Sequence, residues 1–332
     1  MNRILSIFIL LFFLAFTVSA QELTYAEKLG FPKGAKVLIL HVDDVGMSWD
    51  SNQGAIQAME KGVATSASVM MPCPWVPGFV HHLKENPSLD VGLHLTLTAE
   101  WNEYRWGPLA GKPKVPGLVD AEGALWRSVD EVVKHATANE VEMEILAQLD
   151  RARAMGLQPT HLDSHMGTLF ASPEFMQRYI KMGIDNKIPI MLPGGHLTAV
   201  SAQLPNGQQQ KLQMQAIGQT LWASGLPVLD DLHNMSYGFD YQKGKPITDA
   251  DLQKLATKQY TETIKALKPG LTMVIMHCTA PSEIFPYITD SDRLRKADLL
   301  AMTDPAFKKF LQDEKIILTT WREVRERRAR MK

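Results

Sequence analysis

KVLILHVDDVG, residues 36–46, runs a continuous apolar segment, Val37-Leu38-Ile39-Leu40, into one histidine and two adjacent carboxylates. An apolar run this short, with no polar alternation, reads as a strand covered on both faces, the habit of parallel sheets. Carboxylates ending such a strand are costly unless a cation, a proton or hydrogen bonds compensate them. Working outward, runs of the same kind recur at residues 65–71, 91–97, 159–163, 188–192, 227–232, 271–277 and 316–320. Between them, residues 51–61, 129–155, 172–183, 249–267 and 304–314 carry helical periodicity. Strand–helix alternation of this length predicts an α/β fold, a closed or nearly closed (β/α) barrel of mostly parallel strands, with an open doubly wound sheet as the alternative. No fixed-period repeat or low-complexity linker divides the chain, so residues 21–332 read as one domain.

Residues 1–20 read as a signal peptide: Arg3 leads an apolar run over 4–16, and Val18-Ser19-Ala20 is a small-residue cleavage site. That run is too short to span a bilayer. The expectation is a secreted or periplasmic protein with no membrane insertion after cleavage, the rival being an uncleaved anchor. With Lys+Arg at 35 and Asp+Glu at 36, composition gives no support to a nucleic-acid or anionic-membrane surface. A small-molecule or oligosaccharide substrate is the partner expected, and a homo-oligomer is compatible with the composition. Cys73 and Cys278 read as two separate buried thiols, a bridge between them being the alternative. Residues 101–126, with four Gly and three Pro, and residues 194–207 read as inserted loops, either substrate walls or surface decoration.

Four polar clusters stand at strand ends, where side chains of a parallel barrel converge. They are the Asp43-Asp44 pair, His94 within Gly92-Leu93-His94-Leu95-Thr96, the set His161, Asp163 and His165, and His277 after an apolar strand. On an extended chain residues i, i+2 and i+4 share a face, so His161, Asp163 and His165 can aim at one pocket. One carboxylate with two imidazoles suits one divalent ion and leaves positions open for substrate; zinc is favoured and magnesium tolerated. On a plain strand end Asp43 and Asp44 would point apart. His81, His82 and His135 read as solvated, whereas His196 and His233 follow other strand ends and are candidates for substrate contact. Trp101, Tyr104 and Trp106 either stack on a sugar or pack their loop.

The motifs HVDDVGMS, DVGLHLTLT and PTHLDSH and the strand ending at His277 resemble, in order and spacing, the YdjC-like carbohydrate deacetylases, which are related to the NodB-type polysaccharide deacetylases. The resemblance runs from about Val37 to Thr320 and implies a distorted (β/α) barrel and metal-dependent hydrolysis of acetyl groups from N-acetylated sugars or oligosaccharides. It implies Asp44, His94 and His165 as metal ligands, Asp43 as catalytic base and His277 as general acid. His161 and Asp163 would orient the site. Met166-Gly167-Thr168 and His277-Cys278-Thr279 depart from the family pattern, and Val45 stands where Phe is usual. The rival readings are another metal-dependent amide or ester hydrolase on the same barrel and a non-catalytic secreted carbohydrate-binding protein.

Overall fold

The computed structural model describes residues 23–202, 207–234, 236–239, 241 and 244–331. The signal-peptide reading of residues 1–20 lies outside the described residues. Seven strands form the sheet: β1 (Lys36–Val45), β2 (Ser66–Val69), β3 (Val91–Leu95), β4 (Leu162–Ser164), β5 (Asp231–His233), β6 (Gly270–Met276) and β7 (Ile317–Leu318). Their order is β4-β3-β2-β1-β6-β5, with β7 also on β1, and every pairing is parallel. Single parallel bridges, Leu162 to Ile190 and Pro193 to Leu229, carry the curl from β4 round towards β5. The expected α/β fold of mostly parallel strands is therefore present, as a curled half-barrel. Residues 188–192, expected as a full strand, contribute one bridge only, at Ile190.

Helices surround the sheet: α1 (Tyr25–Lys28), α2 (Trp49–Glu60), α3 (Val76–Glu85), α4 (Val129–His135), α5 (Ala138–Ala154), α6 (Pro173–Asn186), α7 (Thr198–Ser201), α8 (Gly207–Ala223), α9 (Asp249–Ala266), α10 (Asp292–Met302), α11 (Pro305–Asp313) and α12 (Trp321–Arg330). The periodic stretch 129–155 is two helices, because Thr137 caps α5 in a capping box with Glu140. In α8 the run GQQQKLQMQ offers little apolar periodicity, so the sequence does not announce it. The Arg-rich stretch near the carboxyl end forms α12, which is not wholly exposed. Trp321 and Val324 are buried, and the Asp90 carboxylate accepts hydrogen bonds from the backbone N–H of Trp321 and Arg322.

The main chain of β1 and β6 is at the centre, where Val37, Leu38, Ile39, Leu40, Val274 and Met276 are solvent-free. Burial of such side chains contributes roughly 1.5–3 kcal/mol each and makes the inner strands a rigid frame for their carboxyl ends. The loop over 101–126 is packed rather than decorative. Val115, Leu118 and Leu125 are buried, and the Glu144 carboxylate of α5 accepts hydrogen bonds from the backbone N–H of Leu109 and Ala110. Cys73 and Cys278 are buried free thiols, as the simpler reading has it.

Candidate metal centre

β1 does not end as a plain strand. Its register with β2 slips between Val42 and Val45, and Asp44 takes a left-handed backbone with φ 63°. This irregularity re-aims side chains as a bulge does. The expectation that the two carboxylates point apart is thereby corrected: Asp44 Oδ1 lies 3.3 Å from His94 Nε2, and Asp43 Oδ2 lies 3.8 Å from the same atom. Gly46 closes the turn at φ 86°, where a Cβ would meet the Val76 side chain at 2.6 Å. Only glycine combines that backbone with that space.

Parallel pairing then gathers the other groups. His94 on β3 is opposite Asp163 on β4, and β4 delivers His165 immediately beyond its end. His165 Nδ1 is 3.3 Å from Asp44 Oδ1 and 3.2 Å from His94 Nε2. Asp44, His94 and His165 thus present three ligand atoms in a triangle, all buried. A tetrahedral ion with bonds of about 2.0–2.1 Å has ligand–ligand edges of about 3.3–3.4 Å, so the triangle fits one. Asp44 Oδ1 is a buried oxygen with no hydrogen bond among the described residues, as a ligand oxygen would be.

Each imidazole of the triangle is held from behind by a carboxylate. His94 Nδ1 donates to Asp163 Oδ1 at 2.6 Å, and His165 Nε2 lies 3.1 Å from Glu100 Oε2. Such bonds keep the rear nitrogen protonated, so that the facing nitrogen is the one that can give up its proton to an ion. Asp163 Oδ2 also contacts His41 Nε2 at 2.9 Å and His161 Nε2 at 3.5 Å. Two other groupings meet the spacing of a metal site, His41 with His161 and Asp163, and Asp43 with His94 and Asp163. The first is sealed: its residues are solvent-free, and the His161 ring stacks on Trp321 at 5.1 Å. The second needs Asp163, whose Oδ1 is already bonded to the far side of the His94 ring.

Burial disfavours charge throughout the centre, yet paired groups keep it. Burial pushes Asp44 up, but the Arg295 guanidinium, 2.7 Å from Oδ2, and the His165 and His94 contacts hold it well below the usual carboxylate range. For His165, burial pulls down while Glu100 and Asp44 raise, leaving it at about 9. His277 has no such partner. Burial pushes its imidazole down to about 4, so it is neutral near pH 7. It stands one residue past Met276, which pairs with Val42, so it is level with Asp43. Its ring meets Tyr237 edge-on at 4.8 Å, and its Nδ1 has no hydrogen-bond partner among the described residues.

Sequence reasoning missed Glu100, Arg295 and Tyr237. Glu100, the first ionisable residue after β3, had a signal: it follows a strand already marked by His94. Arg295 had none, since α10 reaches Asp44 only through the fold; it also donates Nη2 to the Tyr237 hydroxyl and Nε to Ser291 Oγ. His196 and His233 are not in the centre. His196 Nε2 donates to the Pro269 carbonyl, at the amino end of β6, and His233 pairs with Val274 in mid-sheet. Trp106 is buried with its indole N–H on the Thr98 carbonyl, a packing role, while Trp101 lies 5.8 Å from the Arg295 guanidinium.

The model of one family, described as YdjC-like protein, matches residues 37–313. A protein named carbohydrate deacetylase from Thermus thermophilus is 28% identical over 302 residues, 90% of this chain and 97% of that protein. One of the same name from Brevibacillus brevis is 36% identical over 47% of this chain and 59% of its own length. Among solved structures, a candidate cellobiose-phosphate cleavage protein from Enterococcus faecalis superposes with a TM-score of 0.67 at 19% identity, over 86% of this chain and 98% of that one, which shows the fold.

Proposed function

We propose that this chain, which belongs to the YdjC-like protein family, is a metal-dependent hydrolase that removes acetyl groups from carbohydrates and releases acetate. The observation that carries this reading is the triangle of Asp44, His94 and His165 with Asp43 beside it, in a relative of proteins named carbohydrate deacetylase. Asp44, His94 and His165 would hold one divalent ion, zinc by preference for the two imidazoles, with magnesium the alternative. When bound, that ion supplies Lewis-acid polarisation of the acetyl carbonyl.

The remaining work belongs to the chain itself. Asp43, not needed as a ligand, takes the proton from the attacking water. His41 Nε2 stands 3.1 Å from Asp43 Oδ1 and 3.1 Å from Ser68 Oγ, beside that carboxylate. His41 is itself raised to about 9, because its bonds to Asp163 and Asp43 outweigh the burial that lowers it. His277, neutral at rest, protonates the leaving amine or alcohol after it has received the proton that Asp43 removed. Arg295 neutralises Asp44 from the side away from the imidazoles and keeps it from taking a proton. Export to the periplasm or beyond belongs to the same proposal and rests on residues 1–20.

The test is acetate release from a panel of N- and O-acetylated mono- and oligosaccharides, with metal content measured alongside. Turnover that follows stoichiometric metal is the expected result. Full activity in exhaustively demetallated protein, or no acetate from any acetylated sugar, would overturn the reading.

A further inference from the structure

A cleft of about 650 Å³ is lined by residues that follow the carboxyl ends of β1, β2 and β6 and by the long loop after β3. Its volume lies within the range of about 300–1,000 Å³ usual for small-molecule sites. Trp49 and Trp75 form its aromatic wall, with ring centroids 5.5 Å apart. They remain 51% and 43% exposed, although nothing in packing requires two indoles at the surface. Tyr104 and Tyr287 line the cleft as well, and Glu103 adds a charged edge.

The cleft is continuous with the centre through the backbone. Trp49 follows Asp44 by five residues, the Trp75 N–H donates to the Gly46 carbonyl, and the Tyr104 hydroxyl donates to the Met47 carbonyl. On the opposite wall Ala280 and Ser282 donate backbone N–H to the carbonyl and carboxylate of Asp50, within five residues of His277. Three other clefts among the described residues are elsewhere. Two lie against the amino ends of β3 and β7 and one along the start of α9, and none has a pair of exposed aromatic planes.

We propose that this cleft is a carbohydrate subsite, which takes a pyranose ring of an oligosaccharide beyond the sugar that is deacetylated at the metal centre. A pyranose presents an apolar C–H face with hydroxyls at its rim. The apolar face stacks on an indole plane, and the hydroxyls meet the polar edge formed by Glu103. The inference rests on the deacetylase reading for the position of the reacting sugar, but the stacking itself does not depend on turnover.

The experiment compares N-acetylglucosamine with its β-1,4-linked trimer on the full, metal-loaded chain and on Trp49→Ala, Trp75→Ala and Trp49→Phe. Binding is measured by calorimetry in an Asp43→Asn background and turnover by acetate release. Each alanine variant is expected to weaken trimer binding about tenfold, so that the trimer's advantage over the single sugar collapses, while Trp49→Phe recovers most of it. Both indoles are half exposed, and an unchanged melting temperature confirms that folding is retained. Equal effects on monomer and trimer, no effect on either, or a parent chain that does not bind the trimer would overturn the subsite. Trimer binding that is lost with the tryptophans while no acetate is ever released would support the subsite and sink the deacetylase reading instead.

Discussion

Asp163→Asn changes one oxygen of a carboxylate that touches three imidazoles without altering its volume. In the parent chain Oδ1 accepts from His94 Nδ1 at 2.6 Å, and Oδ2 lies 2.9 Å from His41 Nε2. An amide cannot serve both. Turning its oxygen to His94 sets the NH2 against the His41 donor; turning the NH2 to His94 makes Nδ1 an acceptor and moves the ring proton to Nε2, the atom that faces Asp44. Either rotamer replaces a charge-assisted bond by a weaker neutral one or blocks the ligand nitrogen. Loss of such support costs about 10- to 100-fold in metal affinity, equivalent to roughly 1.4–2.7 kcal/mol. The assay is competition with a chromophoric chelator at fixed pH, with parent and variant both checked for unchanged secondary structure. A variant that holds the ion as tightly as the parent would refute the claim that Asp163 orients His94 for the metal.

Asp43→Asn should keep the ion and lose about a hundredfold or more in rate, as removal of a general base does, whereas Asp44→Asn should lose the ion first; rescue of the Asp43 variant alone by excess metal would reverse these roles. His94→Ala and His165→Ala should each abolish stoichiometric metal in elemental analysis, while His161→Ala, at a sealed position against Trp321, should lower rate or melting temperature with the metal retained. The metal-free centre carries a proton on His165, which is raised to about 9, so loading must displace it. Apparent metal affinity should therefore rise with pH between 6 and 8, by about tenfold per unit for each proton released, and a flat profile would contradict this. Arg295→Met takes from the buried Asp44 charge its guanidinium partner and leaves only the His165 and His94 contacts, so it should destabilise the metal-free protein in denaturant melts by less than the roughly 3–5 kcal/mol of a wholly unpaired buried charge, with part of the loss recovered when the ion is added.

Much of this protein can be read from its residues in order. Apolar runs without alternation identify inner parallel strands, because a strand covered on both faces has no polar side to show. Histidines and carboxylates at the ends of those runs mark the rim where a site is built. The clusters at Asp43-Asp44, His94 and His161 to His165 were legible because each lies within a few residues of its own strand. Period-based reasoning failed where the backbone leaves its regular form. The slip in β1 at Asp44 turns two carboxylates that should diverge towards one imidazole, and no alternation rule contains that slip. Residues 188–192 look like a strand but make only a single bridge, since the pairing partner decides strand length. Distance along the chain hid the rest. Arg295 reaches Asp44 from α10, Trp321 closes over His161 from the last helix, and Trp49 at the start of α2 meets Trp75 just before α3. The sequence by itself therefore determined the layered α/β architecture and the candidate site side chains, because both follow from local polarity. Only the tertiary structure decided which carboxylate faces which imidazole, what charge stands behind it and which aromatic rings share a surface, because those depend on contacts between residues far apart in the chain.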